Sequence, residues 1–184
     1  MISIVKLVLE MSVKPKNPYA QGYEHDIFSN EHDPNKVFKV SGGKLGKEGG
    51  NLNPSKWIKV FQSHSNIFPV VYRSNDKGAE VEKLDAVKAQ KEFEDIQNHI
   101  PETNVGSFKG LLNIIASGVD RKHAAVYVRE YVSYLKENQP QLVSSFMRYV
   151  KLVDDAQKVV GDRVDVHAGN FGYDKQGKLK MLDI

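Results

Sequence analysis

The 184-residue chain contains no cysteine. Disulfides, thiol catalysis and cysteine-ligated zinc or iron–sulfur clusters are thereby excluded. It also lacks a long hydrophobic run, and no apolar stretch approaches the roughly 18–20 residues that a membrane helix needs. Tryptophan occurs once. Neither sign of charge dominates: 26 Lys and Arg against 23 Asp and Glu leave a formal charge of +3. So small an excess does not argue for a nucleic acid or a membrane surface as partner. Several catalytic signatures are missing as well. Ser41 stands where a Walker loop ending at Gly46-Lys47 needs its first glycine, and Glu48 stands where it needs Ser or Thr. There is no His-Glu-x-x-His zinc motif and no Gly-x-Ser-x-Gly nucleophile turn. The opening residues Met1 to Glu10 lack a positive segment before their apolar part and a small-residue cleavage site after it. They read as a strand, and the protein is expected in the cytoplasm.

What remains is an ordinary globular composition, 40% apolar and 27% charged. The length suits one domain or one compact unit with two lobes. The pattern changes near residue 87. Before it, Lys36–Val40, Ile67–Tyr72 and Glu80–Leu84 read as strands bounded by Gly, Asn, Asp and Ser clusters. Ser41 to Gly50 reads as a loop. A helix is predicted from Pro54, capped by Asn53, with Trp57, Ile58 and Phe61 on one side. From residue 87 the helical period takes over. Helices are predicted over Ala86–Ile100 and Phe108–Ser117, on a stripe of Val128, Tyr131, Val132 and Leu135, and from about Pro140 to Gly161 with Leu142, Val143, Phe146, Val150 and Val153 inward. Tyr173 to Lys178 reads as a hairpin loop. The expected division is 1–86, sheet plus one helix, and 87–184, mostly helical.

The informative text lies near the end: Asp165-Val166-His167-Ala168-Gly169-Asn170-Phe171-Gly172, then Lys180-Met181-Leu182-Asp183. Asn170 follows Asp165 by five positions, and Asp183 follows Asn170 by thirteen across the predicted hairpin. A hairpin folds its ends together, so Asn170 and Asp183 should face one site. Their oxygens are hard ligands suited to Mg²⁺. A carboxylate five residues upstream can take a proton from a hydroxyl nucleophile. Asp, Gly and Asn also cluster in plain turns, which is the alternative reading of each residue alone.

These intervals resemble the protein-kinase-like superfamily, whose catalytic Asp precedes a metal-binding Asn by five positions and is followed later by a metal-binding Asp. The Asp-x-His-x-Gly-Asn form looks more like the aminoglycoside phosphotransferase, choline kinase and atypical kinase branches. Val37-Phe38-Lys39 resembles the strand whose lysine holds the α/β-phosphates. Gly22 to Phe28 stands where the glycine-rich loop belongs, with one glycine. Glu80 to Asp85 resembles the last strand and hinge of the small lobe.

The resemblance implies an α+β, bilobal fold with ATP in the cleft between a small antiparallel-sheet lobe and a truncated, mostly helical one. It implies transfer of the γ-phosphoryl group to a hydroxyl. Asp165 is the expected catalytic base and Lys39 the phosphate-holding lysine. Gly22, Glu82 and Leu84 are the expected nucleotide contacts, and Asn170 and Asp183 the Mg²⁺ ligands. His167 is expected to bond the γ-phosphate or Asp165, or to be a structural loop histidine. The acceptor implied first is a protein Ser/Thr hydroxyl. A small molecule is the alternative, and a third reading is a pseudokinase binding module.

The chain departs from the pattern in places. Arg163-Val164 replace the His-Arg that precedes the Asp in typical protein kinases, and Ile184 follows Asp183 where Phe-Gly is usual. The helix glutamate that pairs with the lysine should fall near Ser55 and Lys56, and the nearest acid upstream is Glu48. The sequence stops one residue after Asp183, which suggests a minimal kinase of bacterial-effector or phage type, or a fragment of a longer one.

Overall fold

A computed structural model describes residues 20–21, 25–41, 54–75, 78–101, 106–161 and 164–183. Gly22, Glu48, Asn53, Arg163, Ile184, the opening segment 1–10 and the loop 42–50 lie outside the described residues. The chain is α+β, with a small antiparallel sheet and helices. It packs as two compact units. The first holds the described residues through Ile58 together with Val71–Lys83, and the second holds Lys59–Val70 and the described residues from Leu84 onward. The division read from the sequence fell at 86/87 and left residues 59–70 with the sheet.

The first unit is built on five antiparallel strands: β1 (Ala20–Gln21), β2 (His25–Ser29), β3 (Lys36–Ser41), β4 (Val71–Ser74) and β5 (Gly78–Glu82). They lie in the order β1-β2-β3-β5-β4. β3 runs against β5 with Val37 opposite Val81 and Lys39 opposite Ala79. Because side chains alternate across a strand, these four share one face, and all four are buried. Helix α1 (Pro54–Ser63) begins in this unit, and its Trp57 and Ile58 are buried with Phe28.

The predicted strand Ile67–Tyr72 is corrected: only Val71–Ser74 is extended. After α1 the His64 carbonyl accepts from both Ile67 N (2.9 Å) and Phe68 N (3.0 Å), which closes a turn. Pro69 has no N–H to give a sheet. Ile67 and Phe68 are buried in succession rather than alternately, and Phe68 stacks on Phe61 at 4.7 Å. The last strand of the sheet runs Gly78–Glu82 rather than Glu80–Leu84.

The second unit carries α2 (Ala86–His99), α3 (Phe108–Ser117), α4 (Arg121–Asn138), α5 (Val143–Val160) and the hairpin of β6 (Phe171–Tyr173) and β7 (Leu179–Met181). Short polar side chains start three of these helices. Asp85 accepts from Lys88 N, Ser107 from Gly110 N and Asp120 from His123 N. Each such cap is worth about 0.5–2 kcal/mol. Gly161 ends α5 at φ 72°, a left-handed conformation that glycine adopts without a Cβ penalty. A short 3₁₀ turn, Pro140–Leu142, leads into α5.

The helical stripes meet in an aromatic core. Phe93 of α2 lies 5.0 Å from Phe108 of α3 and 5.6 Å, edge-on, from Tyr149 of α5. Tyr149 meets Phe171 of β6 at 4.9 Å. Edge-to-face pairs of this kind add about 0.5–1.5 kcal/mol to the burial itself. Of the predicted α4 stripe, Tyr131 and Leu135 are buried, while Val128 and Val132 are half-buried, as is Val143 of the α5 stripe. Among the described residues no helix is long and apolar enough to cross a membrane.

Candidate functional site

Asp165, His167 and Asn170 lie between α5 and β6. The segment is pinned by alternation: Val164 and Val166 are buried, so Asp165 between them points outward and is exposed. Val164 N also donates to the Ala116 carbonyl of α3 at 3.4 Å. Ala168–Asn170 form one 3₁₀ turn, with Asn170 N donating to the His167 carbonyl at 2.9 Å. The turn delivers Asn170 to the start of β6, where Phe171, fully buried, anchors the strand.

Hydrogen bonds define the orientation of each polar group. Asn170 is 7% exposed, and its Nδ2 donates to the Asp165 carbonyl at 3.1 Å and to Asp165 Oδ2 at 3.3 Å. Those bonds fix which end of the amide is nitrogen, and so turn Oδ1, the acceptor, away from Asp165. His167 Nδ1 accepts from Gly169 N at 3.1 Å. That nitrogen therefore carries no proton, and the neutral ring has its proton on Nε2. Nε2 lies 3.4 Å from Asp165 Oδ2. Asp165 Oδ2 is thus approached by both the Asn170 amide and the imidazole.

The hairpin brings the second element to the first. Phe171 lies opposite Met181, Gly172 opposite Lys180 and Tyr173 opposite Leu179. Beyond the ladder, Leu182 N donates to the Asn170 carbonyl at 2.8 Å. Asp183, half-buried, is therefore the residue next to one bonded to Asn170. Met181 N donates to the Ile67 carbonyl at 2.8 Å, which ties β7 to the turn after α1. Within the turn, Asp174 Oδ1 accepts from Gln176 N and Lys178 N, while Oδ2 faces Lys180 Nζ at 3.4 Å with both side chains almost wholly buried. This buried pair holds the register of the hairpin.

The segment after β5 is fixed against the same hairpin. Asp85 N donates to the Tyr173 carbonyl at 2.8 Å, and Tyr173 N donates to the Asp85 carbonyl at 3.2 Å. The close approach requires glycine at 172, since a Cβ there would stand 2.5 Å from the Leu84 Cβ. Leu84 is buried, and its carbonyl accepts from Ala86 N. Its own N–H has no partner among the described residues. Glu82, at the end of β5 opposite Lys36, is buried.

Lys39 belongs to the first unit. It sits mid-strand in β3, opposite Ile27 of β2 and Ala79 of β5, and is 3% exposed. Its Nζ lies 5.0 Å from the centroid of the Trp57 ring. Trp57 reads in the sequence only as a core residue of its helix. A single aromatic on a helix face gives no sign of which strand residue it will cover.

Asn170 and Asp183 are the residues expected to hold Mg²⁺. Asn170 Oδ1 and the Asp183 carboxylate supply hard oxygens, and Mg²⁺ is commonly held by one or two such side chains plus waters and phosphate oxygens. Among the described residues no group of three or more His, Asp or Glu side chains could hold a metal by itself.

A second polar cluster was not visible in the sequence. Glu92 of α2 accepts at Oε1 from Ser145 Oγ (2.5 Å) and Arg148 Nη2 (2.8 Å) of α5, and at Oε2 from the Tyr173 hydroxyl of β6. Lys88 lies over the Tyr173 ring at 4.7 Å. Burial opposes ionisation of Glu92, but the hydrogen bonds from Ser145 and Tyr173 and the Arg148 charge outweigh it and hold the carboxyl below its ordinary value. Burial and the Glu92 contacts push the Tyr173 phenol up to about 12.

No protein-family model matches the chain. No curated protein matches it either. A solved structure described as "Structure of the gentamicin-APH(2")-IIa complex" is similar at 14% sequence identity and a TM-score of 0.35, over 100% of this chain and 70% of that one.

Proposed function

We propose that the protein is an ATP-dependent phosphotransferase that moves the γ-phosphoryl group to a hydroxyl. The observation that carries this reading is the arrangement around Asn170. Its side-chain amide donates to Asp165, and its backbone carbonyl accepts from Leu182 N, the residue before Asp183. In this reading Asp165 accepts the proton of the attacking hydroxyl, and His167 Nε2 keeps that carboxylate aimed. Asn170 Oδ1 and Asp183 hold Mg²⁺, which would neutralise charge on the phosphates. Lys39 binds phosphate oxygens. The Leu84 N–H is the backbone donor offered to the adenine edge, with Glu82 beside it. Gly22 is assigned to the phosphate cover. The protein's share of catalysis is positioning and electrostatic stabilisation.

The acceptor we propose is a Ser/Thr hydroxyl of a protein. A small-molecule hydroxyl is the second reading, favoured by the Asp-x-His-x-Gly-Asn loop. Mg-ATP at 100 times its dissociation constant is expected to stabilise the fold by about 2.7 kcal/mol. Calorimetric titration with ATP tests the site: heat of binding is expected with Mg²⁺ and strongly reduced in Asp183→Ala. Equal binding by both proteins would reject Asp183 as a metal ligand, and no binding by either would reject the reading.

A further inference from the structure

We propose that Trp57 is a positioning residue for Lys39 and holds its ammonium by cation–π attraction. The inference rests on the phosphotransferase reading for its consequence, but not for the contact itself. Lys39 is 3% exposed and Trp57 4%. An ammonium withdrawn from water that far must recover its lost hydration from fixed partners. The indole is the strongest of the aromatic faces for this purpose, and 5.0 Å to the ring centroid is within the range over which the attraction acts.

The placement follows from the elements. β3 puts Lys39 on the buried face with Val37, Ala79 and Val81. Directly across the ladder stands Ala79, whose small side chain leaves room above it. Helix α1 contributes Trp57 to the same unit. A ring differs from a carboxylate in what it leaves behind. A carboxylate on the helix cancels the lysine's charge and competes with phosphate for its protons. The indole face directs the ammonium without adding a charge of its own.

The test uses the fact that Trp57 is the one tryptophan of the chain. Growth of a tryptophan auxotroph on fluorinated analogues therefore labels this position alone. Each fluorine withdraws density from the ring face and weakens the cation–π attraction with little change in shape. Two readouts apply to the mono- to tetrafluoro series of the full chain. The first, without nucleotide, is the acylation rate of the Lys39 amine, followed by peptide mass spectrometry. Weaker attraction favours the free amine, so the rate is expected to rise stepwise, by roughly two- to thirtyfold over the series, the range the cation–π free energy allows. The second is Mg-ATP affinity, expected to fall in step while the melting temperature stays level. An acylation rate that is flat across the series overturns the proposal. So does an affinity that drops only in proteins whose melting temperature also drops. A rising acylation rate with no Mg-ATP binding in any protein, unlabelled included, upholds the contact and overturns the phosphotransferase reading instead.

Discussion

Replacing Glu92 by Ala removes one side chain that three others use. Arg148 is about half exposed and turns to water at little expense. Ser145, in the first turns of α5, can donate to a carbonyl one turn back, as helical serines do. Tyr173 has no such outlet. It is 5% exposed, and Glu92 is the acceptor of its hydroxyl proton. A buried donor left without an acceptor costs about 1–3 kcal/mol. The variant is therefore expected to lose about 2 kcal/mol, which lowers the melting temperature by roughly 4–8 °C for a chain of this size. Urea unfolding at neutral pH measures the loss. If the stranded phenol is the cause, adding Tyr173→Phe removes the stranded group, and the double variant should be no less stable than Glu92→Ala alone. Additive losses would mean that the phenol is not the group left unpaired. The pH profile gives a second check. The folded Glu92 carboxyl titrates below its ordinary value of 4.5, so its contribution is present above that pH and is lost as pH falls toward the lowered value. The Tyr173 phenol is raised from 10 to about 12, so its contribution is present below pH 10 and is lost as pH climbs to 12. Glu92→Gln should flatten the acid limb while the protein stays folded at neutral pH. An unchanged acid limb would mean that other carboxylates set it.

Three further outcomes are expected. Gly172→Ala drives a Cβ into the Leu84 side chain at 2.5 Å and should cost about 1–3 kcal/mol by overpacking. Thermal unfolding reads it, and full stability would mean that the segment after β5 yields easily. Lys180→Met leaves the buried Asp174 carboxylate without its cation and should cost about 3–5 kcal/mol, whereas Lys180→Met with Asp174→Asn should recover much of it. No recovery in the double variant would place the loss elsewhere. Asp165→Ala removes the proposed base, so transfer should fall roughly 10²–10⁴-fold with Mg-ATP affinity kept, measured by single-turnover kinetics and calorimetry. A parallel loss of binding would give Asp165 a different role.

Much of the second unit was legible because its signals are local. Phe108–Ser117 is bounded by the Ser107 cap before it and the left-handed Gly118 after it, and its helical period marks the stretch between. Gly161 stops α5, and the turn after Tyr173 closes the hairpin that joins Asn170 to the Asp183 end. The failures are equally instructive. Ile67 to Tyr72 looks like a strand by composition, but Pro69 and the His64 carbonyl bend its first half into a turn. The link of Glu92 to Arg148 and Tyr173 spans 56 and 81 positions, so no local pattern announces it. The contact of Lys39 with Trp57 has the same cause: strand register and helix rotation set it together, and neither is written in a short stretch of sequence.

We propose that Asp165, Asn170 and Asp183 serve one phosphoryl-transfer site. The most direct measurement is transfer of label from γ-radiolabelled ATP, in the presence of Mg²⁺, to two acceptor pools: the proteins of a cell lysate and a protein-free metabolite extract. Label is expected in the protein pool with the native chain and none above background with Asp165→Ala. Label in the metabolite pool alone would move the acceptor to a small molecule. No label in either pool, or equal label with Asp165→Ala, would contradict the claim.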